Sequence, residues 1–530
     1  MYLVLNIIVS IIYVVLINVM LLKFVAVYQQ NYYRTKEAII WLYNNNNMHY
    51  KNTYKLSLFF VPIYMLICLI FFLLKVPYPY YFILHILALT YIASINIVIN
   101  DVPLKKPLVY TKRVNRLLIT FSIICVVLFS LLLSLSVKFN YLFMLHSIIY
   151  VLAPILMILS NYINYPIQLL INQYYVILAR KKMKQYKNLK IIAITGSFGK
   201  TSTKNYLYTI LNEKYNVVCS PHSYNTSTGI TRTILEYLKP YHDILILEMG
   251  ADHNNDIEKL CRIVKPDISI ITAVGNQHLN TFKTIDNIIN TKFQLVKNTK
   301  LDGFFVTNYI NEICKFYSNN SLIPNYGIGY GKDDYCLIKN VEINNSGMGI
   351  DCVIDNNLVR LNTSVLGEFN VINILLSATV AYKLGLSIDE IIKGVKNIKQ
   401  VEHRLSTRIL PNGTLIIDDS FNSNVEGFKG AVKVLKQMHG RKIIVTCGVV
   451  ELGEQQYDTN FQLGTLISDI DVCVVNRVNY NAISNGIVSV GGKRPKYYDS
   501  YIECYQQFIS KLTSHDVVLI ENDLTDLYTN

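Results

Sequence analysis

The stretch Ile191-Ile192-Ala193-Ile194-Thr195-Gly196-Ser197-Phe198-Gly199-Lys200-Thr201-Ser202 decides how this chain is read. Its first four residues make a short buried strand, and Tyr206, Leu207, Ile210 and Leu211 downstream repeat at helical spacing. A glycine-rich turn between strand and helix aims backbone N–H groups at a phosphate, a lysine neutralises the terminal phosphates, and the following hydroxyl suits Mg²⁺. The strict G-x-x-x-x-G-K pattern is not met, because Ile194 stands at the first glycine position; Ala193 and Gly196 give the variant A-x-x-G-x-x-G-K-T-S instead. Gly196, Ser197, Gly199, Lys200, Thr201 and Ser202 are therefore the expected nucleotide-binding set. No Asn-Lys-x-Asp guanine motif follows, which favours ATP over GTP.

Upstream of this loop the composition changes. Gly196 is the first of 24 glycines in 530 residues, and uncharged runs fill 1–22, 56–74, 76–100, 117–137 and 139–179. A helix crosses the hydrocarbon layer in about 20 apolar residues, so each run supplies one span and five are expected. The second half of the last run, Asn161 to Ala179, holds Asn164, Pro166, Asn172 and Gln173; it reads as an interfacial helix on the inner leaflet. Basic residues concentrate after spans one and three, at Arg34, Lys36, Lys51 and Lys55 and at Lys105, Lys106, Lys112, Arg113 and Arg116. This bias predicts an integral membrane protein with its N-terminus outside and everything after Lys181 in the cytoplasm. No positive residue precedes the first run, so no cleavable signal peptide is expected. The spans hold no Asp, Glu, Lys or Arg at depth, which argues for an anchor or a lipid-substrate groove and against a proton relay.

Residues 1–180 carry 13 Lys/Arg against Glu37 and Asp101 alone, and Lys181 to Lys190 add five lysines. The remainder, with 32 basic and 34 acidic residues, is nearly neutral, so the basic excess is a membrane-lipid signature and no nucleic-acid partner is expected. Ten cysteines stand singly, without Cys-x-x-Cys or zinc-ligand spacing, and read as reduced thiols.

Downstream, Ile244 to Leu247 runs into Glu248, and Ile268 to Val274 leads to His278. Ligands of open parallel sheets collect at the carboxyl ends of strands, where a carboxylate and an imidazole could hold a metal, although such groups are more often simply solvated. Residues 325 to 365 read as β-rich packing. Leu415 to Ile417, Lys442 to Thr446, Val472 to Val475 and Val517 to Ile520 read as strands of a Rossmann-like lobe.

Seven separated motifs then come into register: Thr195 to Ser202, Ser223-Tyr-Asn-Thr-Ser-Thr-Gly229, Glu248-Met-Gly-Ala-Asp-His253, Val274-Gly-Asn-Gln-His-Leu279, Leu366-Gly-Glu-Phe-Asn-Val-Ile-Asn373, Glu402-His-Arg404 and Asp418-Asp-Ser-Phe-Asn-Ser-Asn424. In this order they resemble the Mur ligase family, most closely its D-alanyl-D-alanine-adding branch. Behind the α-helical transmembrane region that the apolar runs give (1–180), the resemblance implies α/β domains, a P-loop Mur ligase central domain (190–400) and a Rossmann-like C-terminal domain (401–530). It implies an ATP-dependent carbon–nitrogen ligase that activates a carboxylate as an acyl phosphate, with ATP and Mg²⁺. The partners implied are a UDP- or lipid-linked muropeptide acceptor and an amino acid or dipeptide. By the same resemblance Lys200 holds phosphates, while Thr201, Glu248, His278 and a carbamylated Lys292 organise Mg²⁺. Asn370 and Asn373 contact nucleotide, Arg404 reaches ATP between domains and Asp419 lies on the ribose side. Asn422 and Asn424 share that last signature, and Glu451-Leu452-Gly453 matches another.

This sequence departs from the family at Ala273 for Asn, Gln294 for Glu, Phe369 for His, Phe421 for Tyr and Val425 for Pro. Soluble members carry a UDP-sugar-binding domain ahead of the loop, whereas only Arg180 to Lys190 lie between the last apolar run and the loop here. The acceptor is then either bound differently or presented on a polyprenyl carrier. A membrane transport ATPase and a non-catalytic scaffold are the competing classes; no Leu-Ser-Gly-Gly-Gln signature supports the first.

Overall fold

In a computed structural model the described residues are 2–31, 33–36, 48–77, 80, 83–84, 86–88, 90–91, 94, 108–138, 146–275, 279–319, 321–344, 347–401, 403–420, 424–450 and 452–522. They fall into two compact units, one within Met1–Gln173 and one within Tyr174–Asp523.

The first unit is helical. Tyr13, Ile17, Leu21, Phe24 and Tyr28 form one stripe of the helix Tyr2–Gln30; Val114, Leu117, Phe121, Cys125 and Phe129 form one stripe of the helix Lys112–Lys138. These i, i+3/i+4 rows pack together with Ile149, Ala153 and Met157 of the helix His146–Met183. Among the described residues two helices, Lys112–Leu132 and Leu152–Met183, are long and apolar enough to cross a membrane, and a third is if Ile11–Leu22 and Phe24–Gln30 form one bent span. Pro62–Leu73 is a shorter apolar segment, and most of 76–100 lies outside the described residues.

The separate interfacial helix expected from Asn161 onward is not what forms: His146–Met183 runs unbroken for 38 residues through Pro154 and Pro166. The polar residues that suggested a break are partnered. Asn164 Nδ2 donates to Thr120 Oγ1 (2.8 Å) and to Ser160 O (2.9 Å), and Arg116 donates to Gln168 Oε1 (2.6 Å). An unpartnered amide in apolar surroundings costs on the order of 1–3 kcal/mol, so these bonds remove the main reason for the helix to end.

The second unit holds two sheets. In the first, β1 (Lys190–Thr195) sits centrally among β2 (Val217–Cys219), β3 (Ile244–Glu248), β4 (Ile268–Ile271), β5 (Phe304–Asn308), β6 (Asn325–Gly329), β7 (Cys336–Asn344), β8 (Gly347–Ile354) and β9 (Asn357–Thr363), in the order β2-β3-β1-β4-β5-β6-β7-β8-β9. Pairing is parallel as far as β7 and antiparallel through β8 and β9. Residues 325–365 thus extend the central sheet. Alternation along β1 sends Ile192 and Ile194 to one core, with Leu207, Ile210 and Leu375, and Ile191 and Ala193 to the other, with Ile230, Ile257 and Leu295. Helices therefore cover both faces.

The second sheet is ordered β10-β11-β15-β12-β13-β14, from β10 (Ser406–Ile409), β11 (Leu415–Asp419), β12 (Arg441–Thr446), β13 (Asp471–Val475), β14 (Lys496–Tyr498) and β15 (Asp516–Glu521). Only β10 is antiparallel. The strands read from sequence are present; β10 and β14 were not read, being short and mostly polar or aromatic. None of the ten cysteines, all among the described residues, forms a disulfide.

Candidate active site

The phosphate loop leaves β1 at Thr195 and enters the helix Lys200–Leu211 at Gly199, whose φ of +83° is left-handed backbone that favours glycine. A Cβ at Gly199 would lie 2.5 Å from Asn373 Oδ1, and one at Gly196 would collide with Thr272 Oγ1. Ser197, buried, exchanges hydrogen bonds with Gly275: its Oγ donates to Gly275 O (3.0 Å) and accepts from Gly275 N (3.1 Å). Ser202 is buried on the loop helix and bonds to Tyr206. Lys200 Nζ folds back on the loop, donating to Gly196 O (2.7 Å) and Ser197 O (3.2 Å). Burial lowers its pKa, Glu248 opposes that, and the like charge of Arg404 adds to it.

Glu248 ends β3, beside the loop, and is 1% exposed. Its Oε2 accepts from Thr201 Oγ1 (3.0 Å) and its Oε1 from Asn225 Nδ2 (3.1 Å). Lys204 Nζ stands 3.6 Å from Oε2, equally buried, and also donates to the His222 carbonyl. Sequence reading passed over Lys204; the available signal was its place one turn after Lys200 on the same helix face. A threonine hydroxyl and an ionisable carboxylate in contact at the foot of a phosphate loop are hard oxygen donors, and they suit Mg²⁺. His278, the expected imidazole partner, lies outside the described residues, as do Glu402, Phe421, Asn422 and Glu451.

Lys292 is not a solvent-facing helix charge. It lies on Ile285–Lys297 at 2% exposure, and its pKa falls to about 7 through burial and then repulsion from Lys200, with Asp252 and Asp256 acting the other way. Asp252 was quoted within a motif but given no role; only folding brings it into electrostatic reach of both lysines. Gln294, the departure from Glu, donates to Asn255 Oδ1 (2.7 Å).

Asn370 and Asn373 are buried on the helix Glu368–Lys383 and bind the loop helix. Thr203 Oγ1 donates to Asn373 Oδ1 (3.1 Å), Asn373 Nδ2 and Tyr206 OH donate to Asn370 Oδ1 (3.2 and 3.0 Å), and Asn370 Nδ2 donates to Leu366 O (2.8 Å). Phe369 packs into the core of the second sheet, against Gly430. From that side, Arg404 has its pKa lowered by burial, with Asp419 and Glu248 opposing. Burial raises the Asp419 carboxyl to about 6 against the pull of Arg404; its Oδ1 accepts from Leu405 N (3.1 Å). Asn424 caps the helix Val425–Gln437. Lys200, Thr201, Glu248, Lys292, Arg404 and Asp419 thus form one electrostatic neighbourhood at the carboxyl ends of β1, β3 and β11.

Comparison with known families then matches residues 194–381 to the Mur ligase middle domain and 403–521 to the Mur ligase, glutamate ligase domain. The chain belongs to the Mur ligase family. Similar proteins include the UDP-N-acetylmuramoyl-tripeptide–D-alanyl-D-alanine ligases of Buchnera aphidicola (26% identical, over 64% of this chain and 73% of that one) and Borreliella burgdorferi (30%, over 52% and 59%). With the Escherichia coli enzyme of that name the identity is 25%, over 53% of this chain and 63% of the other, so the match spans close to two thirds of these Mur ligases. Among solved structures, the MurF ligase of Thermotoga maritima in complex with ADP aligns with a TM-score of 0.60 at 26% identity, over 66% of this chain and 80% of that one. The Mur ligase match begins within β1, so the N-terminal helical unit lies outside it.

Proposed function

We propose that this Mur ligase forms an amide bond in peptidoglycan-precursor synthesis at the expense of ATP. Residues 190–400 bind ATP, 401–530 form the closing lobe, and 1–180 are a membrane domain in the place of the UDP-sugar-binding domain. The N-terminus lies outside and the catalytic domains are cytoplasmic. The observation that carries the reading is the Thr201–Glu248 contact beside Lys200 at the end of a phosphate loop, in a fold shared with an ADP-bound ligase of the family.

At neutral pH a carboxylic acid and an amine exist as a carboxylate–ammonium salt, so an amide requires an activated acid. The substrate carboxylate attacks the γ-phosphorus, ADP leaves, and the amine then displaces phosphate from the acyl phosphate. Two anions must approach one another in the first step. Lys200 and the loop N–H groups offset that repulsion, Arg404 reaches the nucleotide from the second lobe, and Asp419 fixes the position of Arg404. Thr201, Glu248, His278 and a carbamylated Lys292 would hold Mg²⁺, which would supply further neutralisation of phosphate charge. Lys292 suits that modification because a pKa near 7 leaves much of its amine neutral and able to add to CO₂. Lys204 holds the Glu248 carboxylate in place. Asn370 and Asn373 set the loop helix beneath the nucleotide.

The amine is D-alanyl-D-alanine or another amino acid or dipeptide, as the names of the relatives suggest. A lipid-linked acceptor is a second reading, favoured by the helices of membrane-crossing length. The test is full-length protein in detergent with ATP, Mg²⁺, UDP-linked or lipid-linked muropeptide, and D-amino acids or D-alanyl-D-alanine. Phosphate release and product mass are followed. Release that requires both acceptor and amine, and is lost in Lys200→Ala, supports the ligase; acceptor-independent ATP turnover overturns it.

A further inference from the structure

At one end of the helical unit a polar recess interrupts an otherwise apolar bundle. It is lined by Tyr33, Arg113, Arg116, Asn161, Asn164 and Gln168, from three separate segments. The Arg113 guanidinium lies 3.8 Å from the centroid of the Tyr33 ring, a stacking that leaves its N–H edge unused. Arg116 donates one hydrogen bond, to Gln168 Oε1 at 2.6 Å, and Gln168 is itself held by its bond to Asn172 Oδ1 at 2.7 Å. Asn161 Nδ2 reaches the Tyr33 carbonyl at 3.4 Å, tying the stacking ring's segment to the last helix. Two guanidiniums are thus fixed in orientation with most of their donors unengaged.

Residues 1–180 contain only Glu37 and Asp101 as acids, both outside the described residues, so neither arginine meets a carboxylate among the described residues. Planar guanidinium forks match phosphate oxygens, and paired guanidiniums without a carboxylate call for an external anion. Beyond Arg116, on the same helix, Ile119, Ile123 and Val127 follow at i+3, i+7 and i+11. They stand 58%, 57% and 60% exposed and line an apolar groove of about 360 Å³ with Val126 and its neighbours. The recess itself is only about 10 Å³, room for one water at most, so any phosphate must be met at its mouth by the free guanidinium edges, beside an apolar groove on a helix long enough to span a bilayer.

We infer that Arg113 and Arg116 form a binding site for the phosphate of an anionic membrane lipid, whose hydrocarbon chain lies along the Ile119–Val127 groove. The site is independent of the ligase reading and rests on the helical unit lying in a membrane.

The test is native mass spectrometry of the full-length protein, released from a mild detergent and titrated with dioleoyl phosphatidic acid. Dioleoyl phosphatidylcholine and inorganic phosphate form the comparison arms. One phosphatidic acid is expected to stay bound, with apparent affinity about tenfold weaker in the Arg113→Gln/Arg116→Gln variant and unchanged in Lys112→Gln, which removes one equal charge from the same helix end. Circular dichroism of each variant checks that helix content is retained. Should the double variant lose helix, Ile123→Asn, which leaves both arginines in place, is expected to weaken phosphatidic acid binding alone. Equal loss in Lys112→Gln, equal retention of phosphatidylcholine, or complete displacement of the lipid by millimolar phosphate overturns the inference.

Discussion

Lys292 shows what a single buried residue contributes. Burial and the neighbouring Lys200 lower its pKa from 10.5 to about 7. The unfolded chain therefore holds a proton that the folded chain releases over that window, and stability falls as pH drops from about 10.5 to 7, staying low below it. Lys292→Met removes that penalty. Its unfolding free energy is expected to exceed wild type by a few kcal/mol near pH 7, with the gain vanishing toward pH 10.5, read as thermal melts across that range. Catalysis should be lost in the same variant, since the side chain that would be modified is gone. A stabilised but inactive protein is the signature of a functional residue kept at a cost to the fold. Sequence spacing put Lys292 on a helix and could go no further; its burial was invisible because the helix Asp256–Cys261 and the strands β1 and β4 come against its helix only on folding.

Helix caps and sheet order belong to the scale of elements. Asn424, quoted from sequence only as part of a signature, precedes the helix Val425–Gln437, and its Oδ1 accepts from Gly427 N at 2.9 Å. Asn424→Ala is expected to cost about 1 kcal/mol in chemical denaturation, and Asn424→Ser much less, because serine caps nearly as well. Phosphate release by Asn424→Ser should stay within about twofold of wild type; a much larger loss would give Asn424 a role beyond capping. The long parallel strands were legible because continuous apolar runs are characteristic of strands buried on both faces. β10, an edge strand, and β14 lack that signature, and their pairing comes from β11 and β13 rather than from their own composition. The helix His146–Met183 went the other way: prolines and amides suggested a break, and partners at Thr120 and Arg116 allow it to continue.

For the whole molecule, the partition of glycines and charges along the chain matches two kinds of core. One is a helical unit whose exposed faces are apolar, and the other is a pair of sheets covered by helices. The protein is expected to remain with membranes after alkaline carbonate extraction and to be released by detergent; release by carbonate alone would contradict membrane-spanning helices. By itself the sequence determined the phosphate loop, the apolar strands near it, the family, and the presence of apolar helices, because each depends on spacing within a few turns of chain. Only the tertiary structure decided that Lys204 meets Glu248, that Lys292 is buried beside Lys200, that Asn370 and Asn373 bind the loop helix, and that Arg113 and Arg116 share one recess. Those contacts join residues tens to hundreds of positions apart, and their distances are set by the packing of whole elements, which no local pattern encodes.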